Sequence, residues 1–513
     1  MKTLRSIFLI PLLLLSLLPS TAPAQDKPAE APAKTEAEKE KKPAPEEKSS
    51  TTRHTLTLDG QKIPYTATAG TLVLKDDEGK AKASVFYIAY TREGVKDPAE
   101  RPVTFSFNGG PGAASLWVHL GALGPKKVER DDEGMGLRPP GRLVDNEFSV
   151  LDVTDLVFID PVSTGFSRPA PGEDPKQFHG VTQDVEAVAE FMRLWVTRNR
   201  RWASPKLVAG ESYGTTRAAG LAQHLDERYG MLLNGVVLIS SILNWQNQEF
   251  NAGNDMPYII HLPTYAATAW YHKKLPPELS GDLKRTLAEV EDFTRNEYAN
   301  ALMQGDRLPP EKRREIAAKL ARYTGLSPEY ILRSNLRVEI FRFTKELLRA
   351  EGKTVGRLDT RFTGSDADSA GEFPEFDPSG VSLDGPYAAA MNDYVRRDLG
   401  FESDLVYERL SRKVWPWSWE GFGNRYVNMA EPLRQAMTRN PHLKVLVTSG
   451  YYDLATPYWD AIYTADHLGL PESLRDNMKV ELYEAGHMMY VRKADHRKFK
   501  QDLVDFLEDV AGD

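Results

Sequence analysis

Lys206-Leu-Val-Ala-Gly-Glu-Ser-Tyr-Gly214 is the stretch of sequence that decides the fold. An apolar run, Leu207 to Ala209, leads into a Gly-x-Ser-x-Gly pentapeptide, and a helical pattern follows from Thr215 to Tyr229. This order is typical of a nucleophile elbow, a sharp turn from a strand into a helix that holds a serine out at its tip. The two glycines permit a close backbone approach that a Cβ would obstruct. The pattern predicts Ser212 as a nucleophile, which needs a base and oxyanion donors from elsewhere in the chain.

The sequence around the elbow alternates between buried strands and amphipathic helices. Residues 55–90 show apolar side chains at period two, which predicts antiparallel hairpins. A helical pattern covers 183–198, and a final helix is predicted from His496 to about Val510. Short apolar runs of the buried-strand kind lie at 103–107, 156–160 and 235–239, and strand signals return at 444–448 and 478–483. This alternation predicts an α/β fold with a mostly parallel central sheet.

A long segment interrupts this alternation. Residues 254–419 carry helical patterns near 262–274, 287–303, 311–323 and 328–351, followed by a polar stretch rich in glycine and aspartate. We expect a largely helical cap insertion over the sheet. It divides the core into a first part, 54–253, and a second part, 420–513.

Each of the late strands is followed by a residue that the serine requires. Asp453 follows the run at 444–448, and His487 follows the run at 478–483. In α/β-hydrolases the triad occurs in the chain order Ser, Asp, His, each on a loop after a strand. We therefore expect an α/β-hydrolase fold in which His487 takes the proton of Ser212 and Asp453 orients the imidazole.

The predicted strand at 103–107 leads into a glycine-rich loop, Asn108-Gly-Gly-Pro-Gly112. In a fold of this kind the loop lies beside the elbow. The expected oxyanion donors are the backbone amides of Gly110 and of Tyr213, the residue after the nucleophile.

Composition narrows the class of protein. The chain has 513 residues, a net charge of −8 and no cysteine. No basic stripe with interleaved aromatic residues occurs, so we expect no nucleic-acid partner. The absence of cysteine excludes disulfides, thiol catalysis and cysteine-ligated metals, and we expect neither a metal nor an organic cofactor.

The N-terminus predicts export. Lys2 and Arg5 precede an apolar run from Ile7 to Leu18, and Ala22-Pro-Ala24 offers a cleavage site. These features predict a signal peptide over 1–24, cleaved near Ala24, and a periplasmic or secreted protein without a stable membrane anchor. Residues 25–53 are rich in Pro, Ala, Glu and Lys, which predicts a disordered linker.

Several motifs together resemble the serine carboxypeptidase family. They are Phe107-Asn-Gly-Gly-Pro-Gly-Ala-Ala-Ser115, Leu123-Gly-Pro125, Phe158-Ile-Asp-Pro-Val-Ser-Thr-Gly-Phe-Ser167, Gly210-Glu-Ser-Tyr-Gly214 and the segments around Asp453 and His487. The insertion and the N-terminal hairpins look less like the eukaryotic members, and we expect an exported bacterial member.

The resemblance implies a role for each matching residue. Ser212, Asp453 and His487 match the triad, and Gly110 and Tyr213 match the oxyanion donors. The family residues that bind the free C-terminal carboxylate of a peptide substrate are matched by Asn108, Gly109 and Glu211. The resemblance thus implies a serine-type carboxypeptidase that acts through an acyl-enzyme.

Glu211 also has a physical implication of its own. A carboxyl group bonds a substrate carboxylate only if one of the two holds a proton. Burial and nearby negative charge raise the pKa of a carboxyl group, so binding should favour mildly acid pH. The alternative is that Glu211 only bonds the backbone at the elbow.

The sequence departs from the family pattern at two positions. Acid carboxypeptidases of the family carry a second glutamate before the Leu-Gly-Pro segment, where this chain has Ala122. The carboxylate clamp thus lacks one member. The family's cysteine after Gly-Gly-Pro-Gly is replaced by Ala113. Neither change touches the triad.

Two alternatives to a carboxypeptidase remain open. An esterase or acyltransferase would use the same triad, and the incomplete clamp favours that option. A non-catalytic ligand-binding protein would instead use the aromatic residues Trp415, Trp417 and Trp419 of the insertion. The preferred C-terminal residue and the oligomeric state do not follow from the sequence.

Overall fold

The structure is a computed structural model that describes residues 43–135 and 139–512, with side chains as far as 510. The predicted signal peptide, 1–24, and most of the predicted linker, 25–53, lie outside the described residues. The strands of the described part are β1 (Ser49–Leu58), β2 (Gln61–Lys75), β3 (Ala81–Arg92), β4 (Val103–Phe107), β5 (Lys126–Val128), β6 (Leu143–Asp145), β7 (Asp155–Ile159), β8 (Arg168–Pro169), β9 (Lys206–Glu211), β10 (Gly235–Ile239), β11 (Thr354–Val355), β12 (Thr363–Gly364), β13 (Lys444–Gly450) and β14 (Met478–Tyr483). The α-helices are α1 (Val181–Arg198), α2 (Tyr213–Tyr229), α3 (Met256–Tyr271), α4 (Leu283–Phe293), α5 (Ala299–Gln304), α6 (Pro310–Thr324), α7 (Pro328–Arg333), α8 (Ile340–Glu346), α9 (Pro378–Arg397), α10 (Ala430–Arg439), α11 (Tyr458–Asp466) and α12 (Lys493–Gly512).

One large sheet has the order β1-β2-β3-β7-β4-β9-β10-β13-β14, and β8 pairs with β3 outside this path. The first three strands form antiparallel hairpins, and β3 also pairs antiparallel with β7. From β7 to β14 every pairing is parallel. The elbow strand β9 lies between β4 and β10, so its carboxyl end is near the middle of the parallel region.

The central strands are buried on both faces, as parallel strands in an α/β fold must be. Successive residues alternate between two core clusters: Val208 and Val236 belong to one, and Leu207 and Val237 to the other. Helices α1, α2 and α10 contribute to the first cluster, and α9 and α12 to the second. This mostly parallel sheet between helical layers confirms the predicted α/β-hydrolase fold.

Most of the chain between β10 and β13 is helical. Helices α3 to α8 contribute to a third cluster, which also contains Tyr451, Tyr452 and Leu454 from the loop after β13. The cap thus packs directly against the loop that carries Asp453. Of the helices between residues 43 and 512, none is both long and apolar enough to cross a bilayer.

Two predicted elements have different boundaries in the structure. Strand β1 begins at Ser49, inside the range 25–53 predicted as linker, because Ser49–Leu58 pairs along its length with β2. The single helix expected over 328–351 is divided into α7 and α8, and Asn335 and Leu336 between them have φ values of 54° and 62°. These left-handed conformations cannot continue a helix.

Helix α9 was not predicted, because its sequence reads as a polar stretch. Asp377 caps its N-terminus by accepting hydrogen bonds from the amides of Ser379 and Gly380. Its apolar residues, among them Leu383 and Tyr387, pack into the second core cluster. Tertiary packing and the cap thus outweigh the low helix propensity of its glycines and internal proline.

Candidate active site

Ser212 occupies a strained turn between β9 and α2. Its φ of 61° and ψ of −130° lie in a region that non-glycine residues rarely adopt. Strand and helix approach so closely that a Cβ at Gly210 would lie 2.1 Å from the carbonyl oxygen of Gly214. The amide of Ser212 donates to the carbonyl of Ile239 on the neighbouring strand, at 2.9 Å. The turn therefore has the geometry of the predicted elbow.

His487 and Asp453 lie together on the loops that follow β14 and β13. The imidazole Nδ1 is 2.7 Å from Oδ2 of Asp453 and 3.2 Å from Oγ1 of Thr456. Asp453 is fully buried, and its carboxylate accepts further hydrogen bonds from the amides of Ala455 and Thr456 and from the Thr456 hydroxyl. These donors hold the carboxylate in place, and with it the ring of His487.

The environment of His487 favours its charged form. Burial alone would lower the pKa of the imidazole, but the charge and hydrogen bond of Asp453 outweigh burial and raise the pKa above 6.5. A histidine in this position readily accepts a proton from a neighbouring hydroxyl. It can therefore serve as a general base.

Ser212 and His487 line one cavity of about 310 Å³. Six of the eight predicted site residues line it: Asn108, Gly109, Gly110, Glu211, Ser212 and His487. The other two are buried: Asp453 lies behind His487, and Tyr213 is the first residue of α2. The rest of the wall combines apolar side chains, including Trp117, Leu383, Leu410 and Met488, with the charged residues Arg357, Asp377 and Asp384.

The glycine-rich loop after β4 approaches the elbow without intervening side chains. A Cβ at Gly109 would lie 2.4 Å from the amide nitrogens of both Tyr213 and Gly214, so only glycine fits there. Gly110 has a φ of 100°. Among the described residues, the amides of Gly110 and Tyr213 donate to no other group. Gly110 lines the cavity, and Tyr213 directly follows the predicted nucleophile at the start of α2.

Glu211 is buried beside the serine and is held by two donors. Asn108 Nδ2 donates to Oε1 at 2.8 Å, and the hydroxyl of Tyr490 donates to Oε2 at 2.6 Å. The amide orientation of Asn108 is set by its other end, because Oδ1 accepts from the amides of Trp117 and Val118. Burial raises the pKa of Glu211 to about 7, against the lowering effects of His487 and the two donors. The carboxyl group therefore carries a proton at mildly acid pH.

A buried ion pair that the sequence analysis missed supports the glycine-rich loop. Arg217 of α2 donates to Asp184 of α1 at 2.7 Å and to the carbonyl of Asn108 at 2.8 Å. Its guanidinium also lies over the rings of Phe107 and Tyr213. The sequence signal for this ion pair is the position of Arg217 among the small and apolar residues of the helical pattern at 215–229.

A short segment of the predicted cap, residues 357–360, hydrogen-bonds to the loops that carry His487 and Asp453. On the His487 loop, the amide of His487 donates to the carbonyl of Leu358 at 2.7 Å, and the amide of Gly486 donates to Oδ2 of Asp359 at 3.1 Å. We call residues 357–360 the cap strap. Nothing in its sequence signals this position, because the contact spans about 130 residues.

The strap bonds the Asp453 loop in the same way. The amide of Leu454 donates to the carbonyl of Arg357 at 3.0 Å, and the amide of Thr360 donates to the carbonyl of Tyr452 at 2.9 Å. Asp359 is itself fixed by a buried ion pair with Arg361 at 2.7 Å. Part of the support of the loops that carry Asp453 and His487 thus comes from the segment predicted as the cap.

Comparison with protein families identifies one match across most of the chain. A family model described as serine carboxypeptidase matches residues 60–500. Among curated proteins, serine carboxypeptidase-like 13 of Arabidopsis thaliana is 27% identical over 191 residues, 36% of this chain and 42% of the relative. Serine carboxypeptidase-like 10 of the same plant is 24% identical over 210 residues, 40% of this chain and 44% of the relative. The chain thus aligns with less than half the length of these relatives.

A solved structure with a similar fold is a prohormone-processing carboxypeptidase from Saccharomyces cerevisiae. The TM-score is 0.53 and the sequence identity 16%, over 86% of this chain and 91% of the yeast chain. At this identity the likeness concerns the fold alone.

Proposed function

The chain belongs to the serine carboxypeptidase family, and from that premise we propose that it is a serine-type carboxypeptidase that removes C-terminal residues from peptides. One observation carries the proposal. The strained Ser212 and the Asp453-bonded His487 meet at a cavity that also exposes Glu211, a carboxyl group with a pKa of about 7. Such a group donates a hydrogen bond to a carboxylate in the acid range, which suits a substrate with a free C-terminus.

The proposed mechanism uses the triad in two half-reactions. Ser212 Oγ attacks the peptide carbonyl carbon while His487 takes its proton, and the resulting oxyanion is held by the amides of Gly110 and Tyr213. The C–N bond then breaks as His487 returns the proton to the leaving amine. Water then attacks the acyl ester while His487 takes its proton and Asp453 stabilises the imidazolium. The bond between the acyl carbon and Ser212 Oγ breaks as His487 returns that proton to Oγ, which releases the shortened peptide and restores the serine.

We assign the substrate carboxylate to Asn108, Gly109 and Glu211. Below pH 7 the protonated Glu211 donates to that carboxylate, and above it two negative charges repel. Where the family's acid carboxypeptidases carry a second glutamate, this chain has Ala122. The hydroxyl of Tyr490 is the group that bonds Glu211 here.

The alternatives have different support. An esterase or acyltransferase needs the same triad and no clamp, and the absent second glutamate keeps it as the second candidate. A non-catalytic protein with a tryptophan ligand surface is disfavoured by the packing of the cluster. Trp417 is only 6% exposed and contacts the ring of Tyr213, Trp419 packs against Trp245, and only Trp415, at 55%, is open to solvent.

The test is hydrolysis of a blocked dipeptide and of its C-terminal amide between about pH 4 and 8. A carboxypeptidase releases the C-terminal residue of the free acid and spares the amide, and Ser212→Ala abolishes release while leaving the far-ultraviolet circular dichroism unchanged. Equal cleavage of both substrates indicates a broader peptidase. Ester turnover without peptide cleavage indicates an esterase. Failure of a fluorophosphonate probe to label Ser212 would refute catalysis altogether.

We further propose the following organisation: a signal peptide over 1–24, a linker that ends before β1 at Ser49, and a cap over 254–419 inserted into the core. Cleavage near Ala24 would deliver the mature protein to a periplasm or to the medium. The curated relatives named above are plant proteins, and bacterial origin is proposed from the sequence alone. N-terminal sequencing of the exported protein tests the cleavage site.

A further inference from the structure

Arg357 is held at the active-site cavity by its own backbone. Its amide donates to Oδ1 of Asp377 at 3.2 Å, and its carbonyl accepts from Leu454, the residue after Asp453. The next residue, Leu358, accepts from the amide of His487. Arg357 lines the same 310 Å³ cavity as Ser212. It is therefore a fixed part of the wall and lies within one residue of contacts to both catalytic loops.

The acidic groups of the cavity wall all have partners. Glu211 accepts from two donors, as described above. The carboxylate of Asp377 accepts from the amides of Arg357 and Leu358 and caps α9. Asp384 forms an ion pair with Arg409 at 2.6 Å. Asp384 is the one of these three that is paired with a cation, and the donors to Glu211 and Asp377 named here are neutral groups.

The guanidinium of Arg357 makes neither a hydrogen bond nor an ion pair with any group in residues 43–135 or 139–510. It is partly exposed, and its charge contributes a lowering effect to the pKa of His487, so it is within electrostatic reach of the imidazole. A guanidinium offers five donors in a planar fork that matches a carboxylate. The wall of the cavity thus presents an unpaired cation with a defined ligand preference.

We propose that Arg357 is a specificity-determining residue that receives a carboxylate of the substrate in the active-site cavity. This inference rests on the proposed function for the identity of the substrate as a peptide. Two sources supply the carboxylate: the C-terminus of the peptide, and an acidic side chain beside the scissile bond. Because Arg357 belongs to the cap, the cap then selects substrates for a triad that the core carries.

Affinity can be measured without turnover in the Ser212→Ala protein. The probes are four blocked dipeptides: one pair with a neutral side chain as free acid and as amide, and one pair of amides with glutamate and with glutamine. Calorimetric dissociation constants are compared between Ser212→Ala and Ser212→Ala/Arg357→Met. A hydrogen bond to a charged group contributes about 1.5–3 kcal/mol, so we expect the carboxylate-bearing member of one pair to lose about 10- to 100-fold in affinity.

The two pairs distinguish the sources. Loss confined to the free acid of the first pair assigns Arg357 to the C-terminus, and loss confined to the glutamate peptide assigns it to a side chain. Arg357→Lys should retain part of the preference for the carboxylate-bearing peptide, because lysine keeps the positive charge but lacks the planar guanidinium that binds a carboxylate through two hydrogen bonds. Arg342→Met, on cap helix α8 and absent from the cavity wall, is the matched control for net charge.

An equal loss for all four peptides, or no loss for any, overturns the inference. The side chain of Arg357 makes no bond that the fold requires, so Arg357→Met should keep the wild-type circular dichroism. Turnover by the protein with Ser212 intact tests the proposed function separately. Carboxylate-selective binding without peptide cleavage supports the role of Arg357 and refutes the carboxypeptidase. Peptide cleavage, together with unchanged carboxylate selectivity in Arg357→Met, supports the carboxypeptidase and refutes the role of Arg357.

Discussion

Replacing Glu211 by glutamine should stabilise the protein at alkaline pH and much less at acid pH. The pKa of Glu211 is raised from 4.5 to about 7 by burial. Between these values the native state holds a proton that the unfolded chain has released, so the free energy of unfolding falls as pH rises from about 4.5 to about 7. At 1.36 kcal/mol for each pKa unit, the penalty above pH 7 is about 3 kcal/mol.

Glutamine keeps one oxygen to accept from Asn108, and its NH2 group can donate to the hydroxyl of Tyr490. Because glutamine never ionises, the variant escapes that penalty. Urea unfolding at pH 4 and pH 8 should therefore show that the difference between Glu211→Gln and wild type grows by about 3 kcal/mol towards the higher pH. Glu78→Gln, on an exposed turn, is the control and should show no such growth. A difference that is the same at both pH values would contradict the reasoning, because Glu211 would then ionise alike in the folded and unfolded states.

Three further predictions concern the triad and its support. Asp453→Asn should lower kcat for a neutral ester by about 10⁴-fold, measured at saturating ester, because the imidazole loses the group that fixes its tautomer. The pKa of His487 is raised above 6.5, so ester hydrolysis by the wild type should decline as the pH drops through that raised value. In Asp453→Asn the pKa of His487 is no longer raised by the carboxylate, so the decline should be shifted to lower pH. A decline at the same pH in both proteins would exclude His487 as the base. Arg217→Met should lower the free energy of unfolding, measured in urea, by about 3–5 kcal/mol, because it leaves Asp184 buried without its partner. Adding Asp184→Asn should restore much of that loss. A double variant as unstable as Arg217→Met would refute the ion-pair explanation.

Local sequence signals were sufficient for the elements that carry the predicted nucleophile and base. The elbow at Ser212 was readable because strand, turn and helix lie within one short stretch. Strands β4, β10 and β14 were predicted at their observed bounds. The fully buried β4 and β10 are short, largely apolar runs, whereas β14 lies at the edge of the sheet and is mostly half-buried. The meeting of these segments at one edge of the sheet then follows from parallel topology, since carboxyl ends of parallel strands share an edge.

The support of the site could not be read in the same way. Tyr490 bonds Glu211 across 279 residues, and Asp359 bonds Gly486 across 127. Such contacts depend on how the cap and the core pack, and no local pattern encodes that packing. Helix α9 illustrates the same limit, because its amphipathic face became recognisable only against the core that covers it.

The cap strap has a consequence for the design of chimaeric proteins. Four hydrogen bonds join residues 357–360 to the backbone around Asp453 and His487. An exchange of the whole insertion for a shorter lid would remove acceptors from the amides of Leu454, Gly486 and His487, and a buried amide without an acceptor is costly. A transplanted cap must therefore carry an equivalent of the strap, and segments elsewhere in 254–419 are the places at which substrate range can be altered while the triad loops keep their anchors.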